Sequence, residues 1–373
     1  MCIRGRDKPD DKKLNKIKID ATDFEASTNK LNEERKKLST KDRVAYTSHT
    51  MFYPFTIDDC FLSSSQNLFS VEYAIKHKND LLESGQYSGM LCDVFLESGN
   101  KLGTTKSNKQ LAGFPFSGGV IDAPVQIFEM PQSNRFDDFI YVSGSDPYKQ
   151  AKSDTPSLGA FYVFKRRVGI RDPYAYRIVA SYVSRPSSID QFCRTCEVLQ
   201  KGYGAICLME NADQMYEQYL NRKSGMPASF FLFAGEAIAN KYVKAGSRQN
   251  SKLGLYPTPG NQNLLFSCVV DYCWQDFVVG YDDQTGLDIT VKGIELIDDI
   301  ALLDEIIQYK PGLNVDRIIA FGHALVLARY FDDNNYMPKS KIDEMNNARK
   351  EDAYKHHEIY ASAFGSVSIG AFR

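Results

Sequence analysis

The hydrophobic pattern is sharpest in the middle of the chain, where short apolar runs alternate with turn residues. Three runs have the length and composition of strands in a meander: residues 139–143, 159–168 and 176–183. A helix is predicted next over residues 187–202, opened by a serine pair and ended by Gly202. The almost wholly apolar run 205–209 that follows is typical of a buried central strand.

The pattern continues toward the C-terminus with further helices and one more strand. The helical segments are residues 214–223, 263–277, 297–309 and 316–329. Residues 229–233 are apolar and predict a fifth strand. Three strands in a meander, followed by alternating helices and strands, predict a mixed α/β sheet with helices on both faces.

The flanking regions have a different composition, so the chain divides into four predicted parts. Residues 1–45 are charged and polar, which is typical of a flexible arm. Residues 46–133 combine aromatic residues with Gly, Ser and short apolar runs, and we interpret them as a smaller linker or accessory region. Residues 134–333 form the predicted α/β domain, and residues 334–373 form a C-terminal tail without an assigned role.

Composition narrows the choice of function. The chain has 373 residues, of which 43% are hydrophobic and 25% charged, and these are ordinary values for a packed globular protein. A formal net charge of -2 argues against a histone-like or otherwise strongly basic protein that coats nucleic acid, but it is compatible with a nuclease, whose site needs carboxylates. No run approaches the ~18 apolar residues of a membrane span, and the N-terminus lacks the apolar segment of a signal peptide. We therefore expect no membrane partner.

Two cysteine pairs have spacings that could serve a metal, Cys193 with Cys196 and Cys268 with Cys273. Both pairs fall inside apolar, helical patterns rather than in the Gly-rich knuckles of zinc sites. Buried free thiols are the simpler interpretation, and reduced thiols are the default in a cytoplasm.

Four acids lie at or near the predicted ends of strands and helices, where side chains from different elements can converge. Asp146 follows the first strand, Asp154 lies before the second, Glu210 closes the buried strand and Asp316 opens the last helix. Each also has an ordinary interpretation: an Asp-Pro turn, a solvated loop residue, an exposed strand end and a helix N-cap. Glu210 is the least ordinary, because a carboxylate at the tip of an apolar strand is costly unless it is paired or bound to metal.

The order of these acids resembles the nuclease domain of tailed-phage large terminases, which has the ribonuclease H fold. The motifs that carry the resemblance are Tyr53-Pro-Phe-Thr-Ile-Asp-Asp-Cys-Phe61, Ser145-Asp146-Pro147, Asp154, Met209-Glu210-Asn211 and Asn314-Val-Asp316-Arg317. Each motif is short, so the specificity lies in their order and spacing over about residues 50–333.

The resemblance implies a ribonuclease H-like mixed sheet and an endonuclease that cuts double-stranded viral DNA during genome packaging. Asp146, Glu210 and Asp316 would be catalytic, and with Asp154 they would bind two divalent cations, Mg²⁺ or Mn²⁺. The implied partners are double-stranded DNA, the portal protein, the small terminase and the ATPase half, in the cytoplasm of the infected bacterial host. Because no G-x-x-x-x-G-K-[ST] motif occurs, we expect that the ATPase half was removed or is a separate chain.

Basic residues near these acids are candidates for phosphate binding. They are Lys165, Arg166, Arg167, Lys241, Lys244, Arg248 and Lys252. Beside the carboxylates they would neutralise phosphates without reading base sequence, although solvated loops also carry such residues. His323 lies two helical turns after Asp316 on the same helix face, and we interpret it as a core residue or one that supports the site.

Two other functions are compatible with the sequence. A resolvase- or transposase-like enzyme of the same fold would prefer branched DNA to linear duplex. A non-enzymatic portal- or capsid-binding module would use the acids structurally and would cut no DNA with any metal.

Overall fold

The structure is a computed structural model, and it forms two compact units, Met1–Asn67 and Leu68–Arg373. The residues that it describes are 24–39, 49–50, 53, 55, 67–69, 71–85, 89–148, 157–167, 175–212, 214–243, 253–282, 285–310 and 312–337. None of the helices in these ranges combines the length and hydrophobicity that crossing a bilayer requires.

The first unit contains helix α1 (Phe24–Ser39), which lies in the segment predicted as a flexible arm. The guanidinium of Arg35 donates a hydrogen bond to the Tyr53 carbonyl at 2.8 Å, and His49 Nε2 lies 3.1 Å from a carboxylate oxygen of Glu34. Glu, Lys, Arg and Leu dominate the sequence of α1, and all four favour helix. The segment predicted as a flexible arm therefore contains a helix over Phe24–Ser39, formed by polar residues with a high helix propensity.

The second unit consists of short strands and helices. Its strands are β1 (Met90–Leu96), β2 (Leu102–Lys106), β3 (Val125–Ile127), β4 (Tyr141–Asp146), β5 (Gly159–Lys165), β6 (Arg177–Ser184), β7 (Ile206–Met209), β8 (Asp276–Tyr281) and β9 (Asp288–Lys292). Its α-helices are α2 (Val71–Ser84), α3 (Ile189–Tyr203), α4 (Met215–Lys223), α5 (Ala228–Phe231), α6 (Gly235–Tyr242), α7 (Pro259–Trp274), α8 (Ile300–Ile307) and α9 (Asp316–Asp333). Short 3₁₀ segments occupy Ser98–Asn100, Phe136–Asp138 and Gly293–Leu296.

Seven strands form one mixed sheet in the order β2-β1-β3-β6-β5-β4-β7, and β8 and β9 form a separate hairpin. β4 and β7 are parallel, whereas the other paired strands of the sheet are antiparallel. β4, β5 and β6 make the predicted meander, and α3 connects it to β7. The prediction of an α/β fold with a mixed sheet and helices around it is confirmed.

The sheet extends beyond the predicted α/β domain. β3 pairs with β6, since Gln126 and Ile127 lie opposite Ser181 and Ala180, and β1 and β2 continue from β3. The sheet therefore runs across the predicted boundary at residue 133, and part of the predicted accessory region belongs to the same sheet.

Residues 229–233, predicted as a strand, form most of helix α5 and a single bridge instead. Leu232 pairs in parallel with Cys207 as an isolated bridge, next to β7. The N–H of Ala228 donates to the side-chain oxygen of Asn221 at 2.8 Å and holds the start of α5. The strand prediction was wrong because a short apolar run does not distinguish a strand from a buried helix.

Helix α9 lies directly on one face of the sheet at Gly144 of β4. A Cβ atom at this position would lie 2.0 Å from the Ala320 carbonyl oxygen and 2.3 Å from the Ala324 nitrogen, so only glycine fits. On the opposite face, Phe192 of α3 packs into a cluster with Phe161 of β5. The helices therefore cover both faces of the central strands.

The direction of α9 determines which end of it meets which edge of the sheet. Its first residue, Asp316, accepts a hydrogen bond from the N–H of Leu158, just before β5, and Asp332 near its end pairs with Arg166, just after β5. Because β5 is antiparallel to β4, α9 begins at the edge where β4 and β7 end.

Candidate functional site

Two of the candidate acids stand side by side at this edge. Asp146 is the last residue of β4, rather than part of a turn after it, and it pairs with Ala160. Glu210 follows β7 directly, and its N–H donates to the carbonyl of Ser145 at 2.9 Å. This bond continues the register in which Ser145 pairs with Met209, so Asp146 and Glu210 are neighbours at two parallel strand ends.

Both side chains belong to the face of the sheet that α9 covers. Side chains alternate between faces along a strand, and Gly144, two residues before Asp146, faces α9. Leu208, two residues before Glu210, pairs with Gly144 and shares that face. Asp146 and Glu210 are both partly exposed, so a ligand from solution can reach them.

Asp316 is held at the same edge by three hydrogen bonds. Its Oδ2 accepts from the N–H of Leu158 at 2.7 Å and from the amide of Asn314 at 3.0 Å. Its Oδ1 accepts from the hydroxyl of Ser157 at 3.0 Å. Because Leu158 enters β5 beside the end of β4, the structure brings three candidate acids to one edge. We call Asp146, Glu210 and Asp316 the carboxylate edge.

The surroundings of Asp316 affect its ionisation in opposite directions. The residue is 7% exposed, and burial raises the pKa of its carboxyl because desolvation disfavours the charged form. The bonds from Leu158 and Ser157 and the nearby charge of Arg317 lower that pKa. Its three hydrogen-bond donors are neutral, so these bonds stabilise the carboxylate without cancelling its charge.

The backbone of Glu210 also contacts the segment Leu253–Leu255, on the side of β7 that faces away from β4. The sequence did not predict this contact. Glu210 forms a parallel bridge with Leu255, and the N–H of Asn211 donates to the Leu255 carbonyl at 2.9 Å. Two sequence features mark the residues of this contact: an Asn follows Glu210 directly, and a Gly lies between Leu253 and Leu255. Neither feature identifies the partner, because the two segments are far apart in the chain.

The donor set of the carboxylate edge suits a hard divalent cation, because Mg²⁺ and Mn²⁺ prefer oxygen ligands. In the part of the chain that the structure describes, no three His, Cys, Asp or Glu side chains are grouped as metal ligands. Asp316 gives both its oxygens to protein donors, with which a metal would compete. Asp154, the predicted fourth ligand, lies outside the described residues.

One pocket lies beside Glu210 and another near the end of α9. The pocket beside Glu210 has a volume of about 20 Å³, enough for one water molecule, and is lined by Pro147 and Met215 among others. A larger pocket of about 390 Å³ lies near the end of α9, where Arg329 and Asp332 line it. The larger pocket is therefore not at the carboxylate edge.

Lys165 and Arg166, predicted to bind phosphate, are buried ion-pair residues at the other end of β5. Lys165 Nζ lies 2.9 Å from a carboxylate oxygen of Glu129, and its side chain is 1% exposed. Arg166 lies 2.5 Å from the carboxylate of Asp332 and donates to the Phe139 carbonyl at 2.6 Å. The expected phosphate contact is corrected for both residues, because partners distant in sequence make them part of the core.

Arg167 and Lys241 also lie away from the carboxylate edge. The guanidinium of Arg167 is 5.5 Å from the ring centroid of Tyr176, and Lys241 Nζ is 3.7 Å from Asp333 in the last turn of α9. The remaining candidates, Lys244, Arg248 and Lys252, lie outside the described residues.

His323 is a core residue in the middle of α9. Its Nδ1 lies 2.9 Å from the Ile319 carbonyl oxygen, and within the described ranges its Nε2 has no hydrogen-bond partner. Burial lowers the pKa of His323 to about 4, so the ring is neutral at pH 7. The neutral ring of His323 is therefore part of the buried core around α9.

The two cysteine pairs lie on opposite sides of the sheet. Cys193 and Cys196 belong to α3 and to the cluster around Phe161, whereas Cys268 and Cys273 belong to α7. Cys268 Sγ lies 3.9 Å from Arg329 of α9. All four are buried free thiols, and the sheet separates the pairs.

The chain matches no protein-family model, no curated protein and no solved structure.

Proposed function

We propose that the chain is a metal-dependent endonuclease with a ribonuclease H-like fold, similar to the nuclease domain of tailed-phage large terminases. The observation that carries this proposal is the carboxylate edge. Asp146 and Glu210 end neighbouring parallel strands under the helix that Asp316 begins. Carboxylates from different elements at one edge are what metal-assisted hydrolysis of a phosphodiester requires.

The strand order supports the proposed fold. Three antiparallel strands in a meander, a connecting helix and a fourth strand parallel to the first correspond to the ribonuclease H arrangement. Relative to the ribonuclease H arrangement, the sheet has three additional strands beside β6, namely β3, β1 and β2. The bridge between Leu232 and Cys207 stands where a fifth strand would follow β7.

The proposed roles of the acids follow from their positions. Asp146, Glu210 and Asp316 would hold two Mg²⁺ or Mn²⁺ ions, with Asp154 as a further ligand. When bound, such ions activate a water molecule and stabilise the leaving oxygen of the phosphodiester. Since burial raises the pKa of Asp316, a bound cation would favour the carboxylate, and metal affinity would increase with pH.

Double-stranded DNA is the proposed substrate, and Lys244, Arg248 and Lys252 are the proposed phosphate contacts. Lys252 directly precedes Leu253, whose carbonyl accepts a hydrogen bond from Asn211, the neighbour of Glu210. Leu253, the described residue that follows this basic stretch, therefore lies beside the carboxylate edge. The proposed partners in the infected bacterial host are the portal protein, the small terminase and the ATPase half.

A non-catalytic portal- or capsid-binding module is the second candidate function, favoured by the contacts of Asp316. Its two oxygens accept bonds from Ser157, Leu158 and Asn314, as expected of an acid that fixes a helix start to a strand. This candidate assigns the acids a structural role.

Incubation of supercoiled plasmid with the protein and Mn²⁺ or Mg²⁺, with EDTA as control, tests the proposal. We expect nicked and linear DNA with either metal and none with EDTA. Asp146→Asn and Glu210→Gln should abolish cleavage, whereas Asp288→Asn, which changes an exposed acid of β9, should not. Parental cleavage by folded Asp146→Asn and Glu210→Gln proteins would show that these acids are not catalytic.

The same assay separates the alternatives. A folded parent protein that cuts no DNA with any metal would favour the binding module. Cleavage confined to a four-way junction, with linear and supercoiled duplex intact, would favour a resolvase-like enzyme.

A further inference from the structure

Asn211 follows Glu210 after the end of β7, and it contacts the segment Leu253–Leu255. The side chain is 1% exposed, and its Nδ2 donates to the Leu253 carbonyl at 2.6 Å and to the Glu217 carboxylate at 3.0 Å. Its backbone N–H donates to the Leu255 carbonyl at 2.9 Å. One residue therefore binds both ends of the three-residue segment.

The segment is shaped for this contact. Gly254 has a φ of +71°, and a Cβ atom there would lie 2.7 Å from the Met209 carbonyl oxygen and 2.9 Å from Asn211 Cβ. The N–H of Gly254 donates to the Phe233 carbonyl at 2.9 Å, and the N–H of Leu255 donates to the Met209 carbonyl at 2.7 Å. The segment thus continues the sheet on the free side of the strand end.

The consequence for Glu210 is that its backbone is fixed from both sides. On one side its N–H bonds the Ser145 carbonyl in β4, and on the other it forms the bridge with Leu255. Without the Asn211 side chain, the Leu253 carbonyl would lose the bond from Nδ2, whereas the backbone bonds of Leu255 to Met209 and Asn211 would remain. The segment beside Glu210 would therefore be held less firmly at its Leu253 end.

We propose that Asn211 is the positioning residue for Glu210, acting through its bonds to Leu253 and Glu217. The proposal rests on the proposed metal-dependent function, since Glu210 needs a fixed position only if it binds a ligand. Side chains that orient a metal ligand from behind contribute about 10- to 100-fold to metal affinity. Asn211 should therefore affect the Mn²⁺ concentration at which the site fills.

A Mn²⁺ titration of the full chain tests this role with two readouts, plasmid cleavage and the melting temperature. Asn211→Leu removes the amide donor at similar volume and should raise both Mn²⁺ midpoints about tenfold or more. Glu217→Gln keeps an acceptor for Asn211 and should stay close to the parent. Tyr203→Phe removes a buried bond to the Glu129 carbonyl, and it controls for loss of stability alone.

A second variant covers the case in which Asn211→Leu does not fold. Gly254→Ala forces the segment away from Met209 and Asn211, and it should raise the same midpoints. If the parent responds to Mn²⁺ and neither folded variant shifts the midpoints beyond the Tyr203→Phe control, the positioning role is wrong and the proposed function stands. If the parent shows neither cleavage nor a Mn²⁺ response, the proposed function fails, and the positioning role with it.

Discussion

The two ends of α9 hold carboxylates in different ways. At its start, Asp316 is bonded by a backbone N–H, a hydroxyl and an amide, all of them neutral. At its end, Asp332 is paired with the guanidinium of Arg166, and Asp333 lies 3.7 Å from Lys241. Ion pairs cancel charge locally and tie the fold together, whereas neutral donors leave the negative charge available to a cation.

This difference separates structural acids from candidate functional ones on a single helix. The sequence pattern does not distinguish the two ends, because acids occur in both the first and the last turn of α9. The hydrogen-bond and ion-pair partners distinguish the two ends.

The largest expected effect is the loss of cleavage at the start of α9. Asp316→Asn should reduce plasmid cleavage by about 100-fold or more, because losing a metal ligand removes several kcal/mol of transition-state stabilisation. Asp332→Asn should leave cleavage per folded molecule unchanged. Equal losses in the two variants, measured below their melting temperatures, would mean that the two ends do not differ in function.

The next effect concerns stability at the end of α9. Arg166→Met should lower the free energy of unfolding by about 3 kcal/mol, because Asp332 would lose its partner in a mostly buried pair. Lys223→Met breaks a pair with Asp190 in which both side chains are 51% exposed, and it should cost less than about 1 kcal/mol. Urea denaturation measures both. Similar losses would show that burial does not set the strength of these pairs.

A pH dependence should arise near the start of α9, where Glu305 accepts a bond from the N–H of Ile318 at 2.8 Å. Burial raises the pKa of Glu305 to about 8, from an ordinary value of 4.5. Between pH 6.5 and 8 the folded protein therefore keeps a proton that the unfolded chain has lost. The free energy of unfolding should fall as pH rises through this window, by up to about 1.4 kcal/mol per pH unit.

Glu305→Gln should flatten this slope, while Glu83→Gln, an exposed change on α2, should leave it in place. The lowered pKa of His323 acts in the opposite sense, but only below its ordinary value of 6.5. An unchanged slope in Glu305→Gln, measured by urea denaturation across the window, would assign the titration to another group.

The smallest effect is the response of the folded protein to metal. At tenfold over its Kd, Mn²⁺ should stabilise the fold by about 1.4 kcal/mol and raise Tm by roughly 2–4 °C. Asp146→Asn should remove most of this shift, whereas Asp333→Asn at the other end of α9 should retain it. A shift that survives Asp146→Asn would place the metal elsewhere.

Local patterns were sufficient to predict much of the central sheet. Apolar runs located β4 to β7, and a serine pair and a glycine located α3 within a few residues. The same patterns did not predict that β3 would pair with β6 or that the apolar residues 229–233 would be mostly helical. Pairing between distant strands depends on the packing of whole faces, which no short window contains.

The candidate site could also be predicted only in part, because local patterns do not show contacts between distant residues. Glu210 was selected because an acid at the tip of an apolar strand is unusual, and Asp146 was selected because it follows the first predicted strand. Their placement at one edge follows from the parallel pairing of β4 and β7. The burial of Lys165 and Arg166 could not be predicted, because Glu129 and Asp332 lie 36 and 166 residues from them. Charge in a sequence does not show which residues will be neutralised in the core.

The bond between Leu158 and Asp316 joins residues that are 158 positions apart. A ribosome adding roughly 5–20 residues per second needs about 8–30 seconds to make the chain between them. During that time β4 and β7 can pair, but no helix yet covers the face of the sheet at Gly144. The edge that carries Asp146 and Glu210 is therefore among the last parts of the described fold to be completed during synthesis.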